Sequence, residues 1–167
     1  MTRALRSPGS TLKPFVYGLA FDAGLAHPET LIEDRPTAFG VWQPQNFDRQ
    51  FRGTVSLRQA LVQSLNIPVV KLAEAIGPNR VVQGLERGGI DLRLPGAAPG
   101  LTLILGGAGV TLEGLATGYG SLAQSGHGMR LSALPGGAQV LPVATPCLHT
   151  CCPGLTPPPS SLTVTPL

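Results

Sequence analysis

The chain has 167 residues, enough for one domain with a hydrophobic core. Charged residues make up only 13%, about half the usual globular share, and the net charge of +3 is too small to indicate a nucleic-acid partner. No apolar run reaches the length of about 18 residues that predicts a transmembrane helix. The N-terminus lacks the apolar stretch of a secretory signal, and three Cys are too few for a disulfide framework.

The charge is distributed unevenly along the chain. No Asp, Glu, Lys or Arg follows Arg130, and the segment after it holds eight of the 17 Pro and all three Cys. Its apolar residues follow neither the helical nor the strand period. We therefore predict two parts, a folded domain in residues 1–130 and an uncharged tail in residues 131–167 that is disordered or foreign to the fold. The composition of this tail also fits out-of-frame coding.

The first half of the domain is predicted to contain three helices. Ser10 is placed to cap the first, in which Pro14 lies in the first turn. Residues 25–55, rich in X-Pro pairs, are expected to form an irregular, partly extended connection. A capping box at residues 56–59 predicts the second helix, and the third is expected to follow Asn66-Ile67-Pro68 and to end at Gly77.

The second half is predicted to contain a short helix, a strand and a longer helix. The short helix covers residues 81–86, and the apolar residues 101–105 are the best strand candidate. Thr111 is expected to cap the last helix. Gly114 and Gly118 within this helix each destabilise it by about 1 kcal/mol relative to Ala, so the helix needs tertiary support. Its predicted apolar face comprises Leu112, Leu115, Ala116, Tyr119, Leu122 and Ala123.

Two short motifs could carry chemistry. Ser10 and Lys13 form an S-x-x-K pair on one helix face, where an amine could take the proton of the hydroxyl and free backbone N–H groups could stabilise an oxyanion. Ser64 and Asn66 form an S-x-N pair that could relay a proton and position the lysine. Each motif has a plain alternative. Ser10 could be a capping serine beside a surface lysine, and Asn66 could simply cap a helix after a helix C-terminus.

Three long segments resemble the transpeptidase domains of penicillin-binding proteins, and in particular the bifunctional class A members. They are residues 6–17 (RSPGSTLKPFVY), 55–68 (VSLRQALVQSLNIP) and 105–116 (LGGAGVTLEGLA). Residues 34–36, 42–48 and 51–53 resemble the loop that follows the first segment. The resemblance covers residues 6–130 and implies an α+β fold of the penicillin-binding protein/β-lactamase-like serine acyltransferase type, incomplete here and represented mainly by its helical subdomain.

The resemblance also implies a role for each motif residue. Ser10 would be the nucleophile acylated by a D-Ala-D-Ala stem peptide or a β-lactam, and Lys13 would be its general base. Ser64 would relay a proton to the leaving group, while Asn66 would hold Lys13 and the substrate amide. No metal or organic cofactor is implied, because these four side chains suffice for acyl transfer. The family works in peptidoglycan synthesis on the periplasmic face of the cytoplasmic membrane.

The sequence departs from the family in its third motif, K-T-G. The chain has no Lys after Lys71, and only nine residues precede Ser10. Because the K-T-G strand supplies a cation and an oxyanion donor, we expect weak or absent acylation. Two hypotheses follow, a DD-transpeptidase domain fragment and a non-catalytic remnant with residual ligand or partner binding.

A metal site in the tail is a third, weaker hypothesis. Cys147, His149, Cys151 and Cys152 are zinc-ligand types, but a structural zinc site needs a second ligand pair, to which only His127 could contribute. His27 and His127 are otherwise interpreted as ordinary loop residues.

Overall fold

The computed structural model describes residues 4–96, 98–124, 127–130 and 139–144. The helices are α1 (Lys13–Asp22), α2 (Leu57–Val62), α3 (Asn66–Ile76), α4 (Pro78–Arg87) and α5 (Leu112–Ala123), with two 3-10 helices at Gly9–Leu12 and Leu101–Leu105. The strands are β1 (Leu31–Asp34), β2 (Gly53–Ser56), β3 (His127–Arg130) and β4 (Gln139–Ala144).

The strands form two antiparallel pairs. In the first, β1 pairs with β2 so that Leu31 lies opposite Ser56 and Asp34 lies opposite Gly53. In the second, β3 pairs with β4, and β4 falls in the segment predicted to be the tail. Helices joined to short antiparallel strands make an α+β fold, and the predicted fold class is confirmed.

Helix α3 is the centre of the core. It packs against α1, α4 and the second 3-10 helix, and Ile67, Val69, Val70 and Ala73 are completely buried. Pro68 is tolerated because it lies in the first turn, where backbone N–H groups have no intrahelical partner. The helix ends at Gly77 as predicted, with a φ of +92° that favours glycine.

Several predicted local signals are confirmed. The Ser56 hydroxyl accepts from the Gln59 N–H, and the Gln59 side chain accepts from the Ser56 N–H, which completes the capping box of α2. The Thr111 hydroxyl accepts from the Gly114 N–H and caps α5. Pro14 lies in the first turn of α1. Helix α4 begins three residues earlier than predicted, at Pro78, whose fixed φ suits a helix start.

The predicted strand at residues 101–105 is wrong, because these residues form a 3-10 helix. A short apolar run has the same composition in a buried helix and in a buried strand, so its pattern does not distinguish them. The adjacent residues Leu103 and Ile104 are both buried, which the alternation of a strand facing solvent on one side would not produce. Gly106 ends the helix in the left-handed conformation.

The predicted cap at Ser10 is also wrong. Ser10 lies inside the first 3-10 helix, and α1 begins after Leu12 without a side-chain cap. The turn is closed instead by Thr11, whose N–H and hydroxyl both donate to the Pro8 carbonyl. Since the local bond is made by Thr11, the Ser10 hydroxyl is left available.

The predicted apolar face of α5 is only partly correct. Leu115 and Leu122 pack against the core, whereas Leu112 is 62% exposed and Tyr119 is 40% exposed. The buried residues of this helix are Gly118 and Ser121. At Gly118 a side chain would collide with Ile90, so the glycine allows the helix to approach the core closely.

Candidate active site

A cavity of about 650 Å³ opens between the first 3-10 helix, the turn from α2 to α3 and the long connection from β1 to β2. Three of the four residues predicted from the motifs line it, namely Ser10, Ser64 and Asn66. The other lining residues come from the two 3-10 helices, from the turn between α2 and α3 and from the connection. The sequence motifs therefore meet at one site, although more than 50 residues separate them.

The fourth predicted residue, Lys13, lies buried beside this cavity with only 1% of its surface exposed. Its Nζ atom donates to the Ser64 carbonyl at 2.5 Å, to Ser64 Oγ at 3.0 Å and to Asn66 Oδ1 at 2.7 Å. This geometry excludes the alternative of a surface lysine. Burial lowers the pKa of the Lys13 amine from 10.5 to about 8, because the charged form loses hydration.

Ser64 occupies an unusual backbone conformation. It lies between α2 and α3 with a φ of +54°, in the left-handed region that non-glycine residues seldom adopt. Both its carbonyl oxygen and its hydroxyl accept from Lys13. An observed backbone outlier of this kind is characteristic of functional sites, where the surrounding structure maintains the strain.

Asn66 is the first residue of α3, and its side chain is held at both ends. Oδ1 accepts from Lys13, while Nδ2 donates to the Gln45 carbonyl at 2.6 Å. The carbonyl of Gln45 can only accept, so the amide orientation follows from the contacts. Asn66 therefore caps nothing with its side chain, and the alternative interpretation of a simple helix cap does not hold.

Ser10 faces the same cavity from the first 3-10 helix. Lys13 begins α1 directly after this 3-10 helix, and residues three positions apart in consecutive helical turns lie on the same side, so Ser10 and Lys13 share one face. Among the described residues, no group forms a hydrogen bond with the Ser10 hydroxyl. The turn itself is supported from α5, where the Tyr119 hydroxyl donates to the Thr11 carbonyl at 2.8 Å.

The two 3-10 helices pack closely at the edge of the cavity. Ser7 Oγ donates to the Gly106 carbonyl at 2.9 Å. Gly106 has a φ of +105°, and a Cβ atom there would lie against Ser7 Oγ and 3.2 Å from the Gly9 Cα. A glycine is therefore required both by the backbone conformation and by the space.

The sequence patterns did not identify three residues that support this arrangement. Asp34 at the end of β1 and Asn46 in the connection are both buried, and Tyr119 was assigned only to an apolar face. Residues 42–48 were noted for their resemblance to the family loop, but no chemistry pointed to Asn46. Its partners are distant in sequence, so only the tertiary structure reveals them.

The metal hypothesis concerns residues that are not described here. Cys147, His149, Cys151 and Cys152 lie outside the described residues. Within the ranges that the structure describes, no three His, Cys, Asp or Glu residues come close enough together to hold a metal ion. In the same ranges, no helix is both long and apolar enough to cross a membrane.

Comparison with known proteins agrees with the geometry. The chain is 51% identical over 136 residues to penicillin-binding protein 1C of Escherichia coli (strain K12), an alignment that covers 81% of this chain and 18% of that protein. It is 38% identical over 141 residues to penicillin-binding protein 1B of Vibrio cholerae serotype O1, covering 78% and 17%. The chain thus spans less than a fifth of the length of these curated relatives.

The fold is similar to that of a solved structure as well. The 2.6 Å crystal structure of penicillin-binding protein 1A from Haemophilus influenzae superposes with a TM-score of 0.70 at 25% identity, covering 78% of this chain and 20% of that one. The family model for the penicillin-binding protein transpeptidase domain matches residues 1–134. The resemblance of the three sequence segments is thereby confirmed, and the chain belongs to the penicillin-binding protein transpeptidase family.

Proposed function

We propose that residues 1–130 are part of a peptidoglycan DD-transpeptidase domain that acts through an acyl-serine intermediate. Ser10 is the nucleophile, Lys13 its general base, Ser64 the proton relay and Asn66 the residue that positions Lys13 and the substrate amide. The observation that carries this proposal is the buried Lys13 amine, held by Ser64 and Asn66 beside the cavity that Ser10 lines.

In the proposed reaction, neutral Lys13 accepts the Ser10 proton while the Ser10 oxygen attacks the carbonyl carbon of a D-Ala-D-Ala stem peptide. The peptide C–N bond then breaks, and the proton reaches the departing D-Ala amine through Ser64. An ester to Ser10 remains until the amine of a second stem peptide attacks it. A β-lactam would follow the first half of this sequence and remain attached, because its leaving amine stays tethered to the acyl group.

The electrostatics of Lys13 support its role as a base. A base must have a free lone pair, and an amine with a pKa near 8 is partly neutral at physiological pH. The three acceptors around Nζ match the three N–H donors of the ammonium form, so the same site also holds the proton after transfer. Acylation should therefore rise with pH up to about 8.

A second candidate function is binding without turnover. It is favoured by the contacts of the Lys13 Nζ atom, which donates to Ser64 and Asn66, while no described group forms a hydrogen bond with the Ser10 hydroxyl. In this alternative the polypeptide keeps the helical subdomain and contacts a ligand or partner but does not form the ester. For both candidates we propose a place on the periplasmic face of the cytoplasmic membrane, by analogy with the family.

Prolonged incubation with a fluorescent penicillin distinguishes the two candidates. We expect slow covalent labelling, located on Ser10 by peptide mass spectrometry and abolished in Ser10→Ala. We expect a slow rate because the described residues include no hydrogen bond from the Ser10 hydroxyl to Lys13, whose Nζ atom contacts Ser64 and Asn66 instead. Complete absence of an adduct on the folded protein, checked by circular dichroism, would contradict acylation of Ser10 and favour binding without turnover.

A further inference from the structure

The start of helix α3 is held by a side chain from a distant loop. The first N–H groups of a helix have no intrahelical partner, and the residue preceding α3, Leu65, offers no side-chain cap. Instead, the Asn66 N–H donates to Asn46 Oδ1 at 2.7 Å. Asn46 thus caps α3 from the connection between β1 and β2, 20 residues earlier in the chain.

The orientation of the Asn46 amide is determined by its other partners. Its Nδ2 atom donates to both Asp34 oxygens, at 3.1 and 2.8 Å, and to the Gln50 carbonyl at 2.8 Å. A carboxylate and a carbonyl can only accept, so the amide nitrogen must face them. The Asn46 oxygen is consequently the atom that points at Asn66.

Asp34 anchors this arrangement. It is completely buried at the end of β1, opposite Gly53, and one of its oxygens also accepts from the Arg52 N–H at 2.8 Å. Hydrogen bonds to an ionised carboxylate are about twice as strong as neutral ones, so they hold the Asn46 amide firmly. The position of Asn46 therefore follows from the pairing of β1 with β2.

The connection between β1 and β2 also holds the Asn66 side chain. The carbonyl of Gln45 accepts from Asn66 Nδ2, while the neighbouring Asn46 accepts from the Asn66 backbone. Backbone and side chain of Asn66 are thus fixed from two adjacent loop residues. The remaining polar atom of the Asn66 side chain, Oδ1, is the one that contacts Lys13.

We propose that Asn46 is a positioning residue, which links the buried Asp34 carboxylate to the start of α3 and thereby holds Asn66 against Lys13. The inference rests on the proposed acyl-serine function for its catalytic consequence. Asn46 does not exchange a proton with the substrate; it acts through Asn66.

The test compares Asn46→Ala with Asn79→Ala in the full chain. Asn79 lies exposed on α4, so the control removes the same side chain without touching the site. We expect Asn46→Ala to slow labelling by a fluorescent penicillin about tenfold or more, because a small displacement of Asn66 and Lys13 disturbs proton transfer. Asn79→Ala should label at the rate of the unsubstituted protein.

A second readout does not depend on activity. The chain has two lysines, so 13C-lysine labelling gives separate Lys13 and Lys71 signals, with Lys71 as an internal reference. In Asn46→Ala we expect the Lys13 titration to move from about 8 upward by about one pH unit, because water enters where α3 was held. A titration and a labelling rate equal to those of Asn79→Ala would overturn the proposal.

Exchange of the two side chains gives an independent check if Asn46→Ala does not fold. Asn46→Asp alone places two carboxylates against each other. Combining it with Asp34→Asn restores a pair of one amide donor and one carboxylate acceptor, and the net charge of the protein is unchanged. We expect the double variant to recover stability and labelling relative to Asn46→Asp, and no recovery would contradict the link. Absence of labelling in the unsubstituted protein would count against the proposed function, while the Lys13 titration would still decide the role of Asn46.

Discussion

The cavity has two sides that are built by different means. The lysine side, made of Lys13, Ser64, Asn66 and Asn46, consists of polar side chains joined by hydrogen bonds, and its amine is buried. The serine side, made of Gly9, Ser10, Leu105 and Gly106, consists of two 3-10 helix ends in close backbone contact. In the proposed reaction, the lysine side would accept the proton and the serine side would hold the attacking oxygen in place.

This difference has a physical reason. A base with a lowered pKa needs burial, and a buried amine needs acceptors, so the lysine side must be a closed polar network. A nucleophile must be reached by substrate, so its hydroxyl stays exposed and only its backbone can be restrained. We therefore expect pH and charge to affect the lysine side and steric substitutions to affect the serine side.

The largest expected effect is a pH dependence of stability on the lysine side. The pKa of Lys13 is about 8 in the folded protein and 10.5 when unfolded. Between these values the unfolded chain binds a proton that the folded chain does not, so stability rises with pH in this window. Relative to Lys13→Met, the unsubstituted protein should gain roughly 3 kcal/mol of unfolding free energy from pH 8 to pH 10.5.

Urea titrations of both proteins across this pH range measure the difference. Below pH 8 Lys13 is protonated in both the folded and the unfolded state, so the difference in unfolding free energy between the two proteins should be constant there. A difference that stays constant over the whole range would show that burial does not lower the Lys13 pKa.

The next largest effect concerns the serine side. Gly106→Ala adds a Cβ atom against Ser7 and Gly9. We expect it to lower the free energy of unfolding by about 3 kcal/mol, because the left-handed φ and the steric overlap both destabilise the folded state. Gly24→Ala is the matched control, because Gly24 also has a positive φ of +67° but nothing lies within 4 Å of its Cβ position. It should lose about 1 kcal/mol.

Thermal and urea unfolding of the two variants separate conformational strain from close packing. Penicillin labelling of Gly106→Ala should fall as well, since Gly9 adjoins Ser10. Equal losses in the two variants would mean that the two 3-10 helices are not in tight contact.

The smallest expected effect is a difference in stability between two variants of Ser64. Ser64→Ala and Ser64→Gly both remove the hydroxyl that accepts from Lys13, but only glycine adopts a φ of +54° without steric cost. Ser64→Gly should therefore be more stable than Ser64→Ala by about 1 kcal/mol in urea unfolding. The reverse order would indicate that the left-handed conformation carries no strain in this protein.

Local sequence signals predicted most of the helices. Capping residues such as Ser56 and Thr111 and the stop at Gly77 act within one turn, so the sequence alone reveals them. The 3-10 helix at Leu101–Leu105 escaped prediction because an apolar pentapeptide suits either a strand or a buried helix, and only its contacts with α3 decide. The exposure of Tyr119 was not predicted either, because at this point of α5 Gly118, and not a large apolar residue, faces the core.

In the candidate site, too, local features were predicted from the sequence and long-range contacts were not. The S-x-x-K and S-x-N spacings identified Ser10, Lys13, Ser64 and Asn66, because each pair is local. The link between the pairs, the burial of Lys13 and the support from Asn46 and Asp34 depend on contacts across many residues. No periodicity reports such contacts, so Asn46 could not be distinguished from an ordinary loop residue.

The sequence by itself determined the family, the motif residues and the change in composition after Arg130. These properties depend on residue identity and short spacing, which survive without a folded structure. The tertiary structure alone decided that Lys13 is buried and that Asn46 holds the start of α3. Desolvation and long-range hydrogen bonds arise only when distant segments pack together, and the desolvation lowers the pKa of the Lys13 amine to about 8.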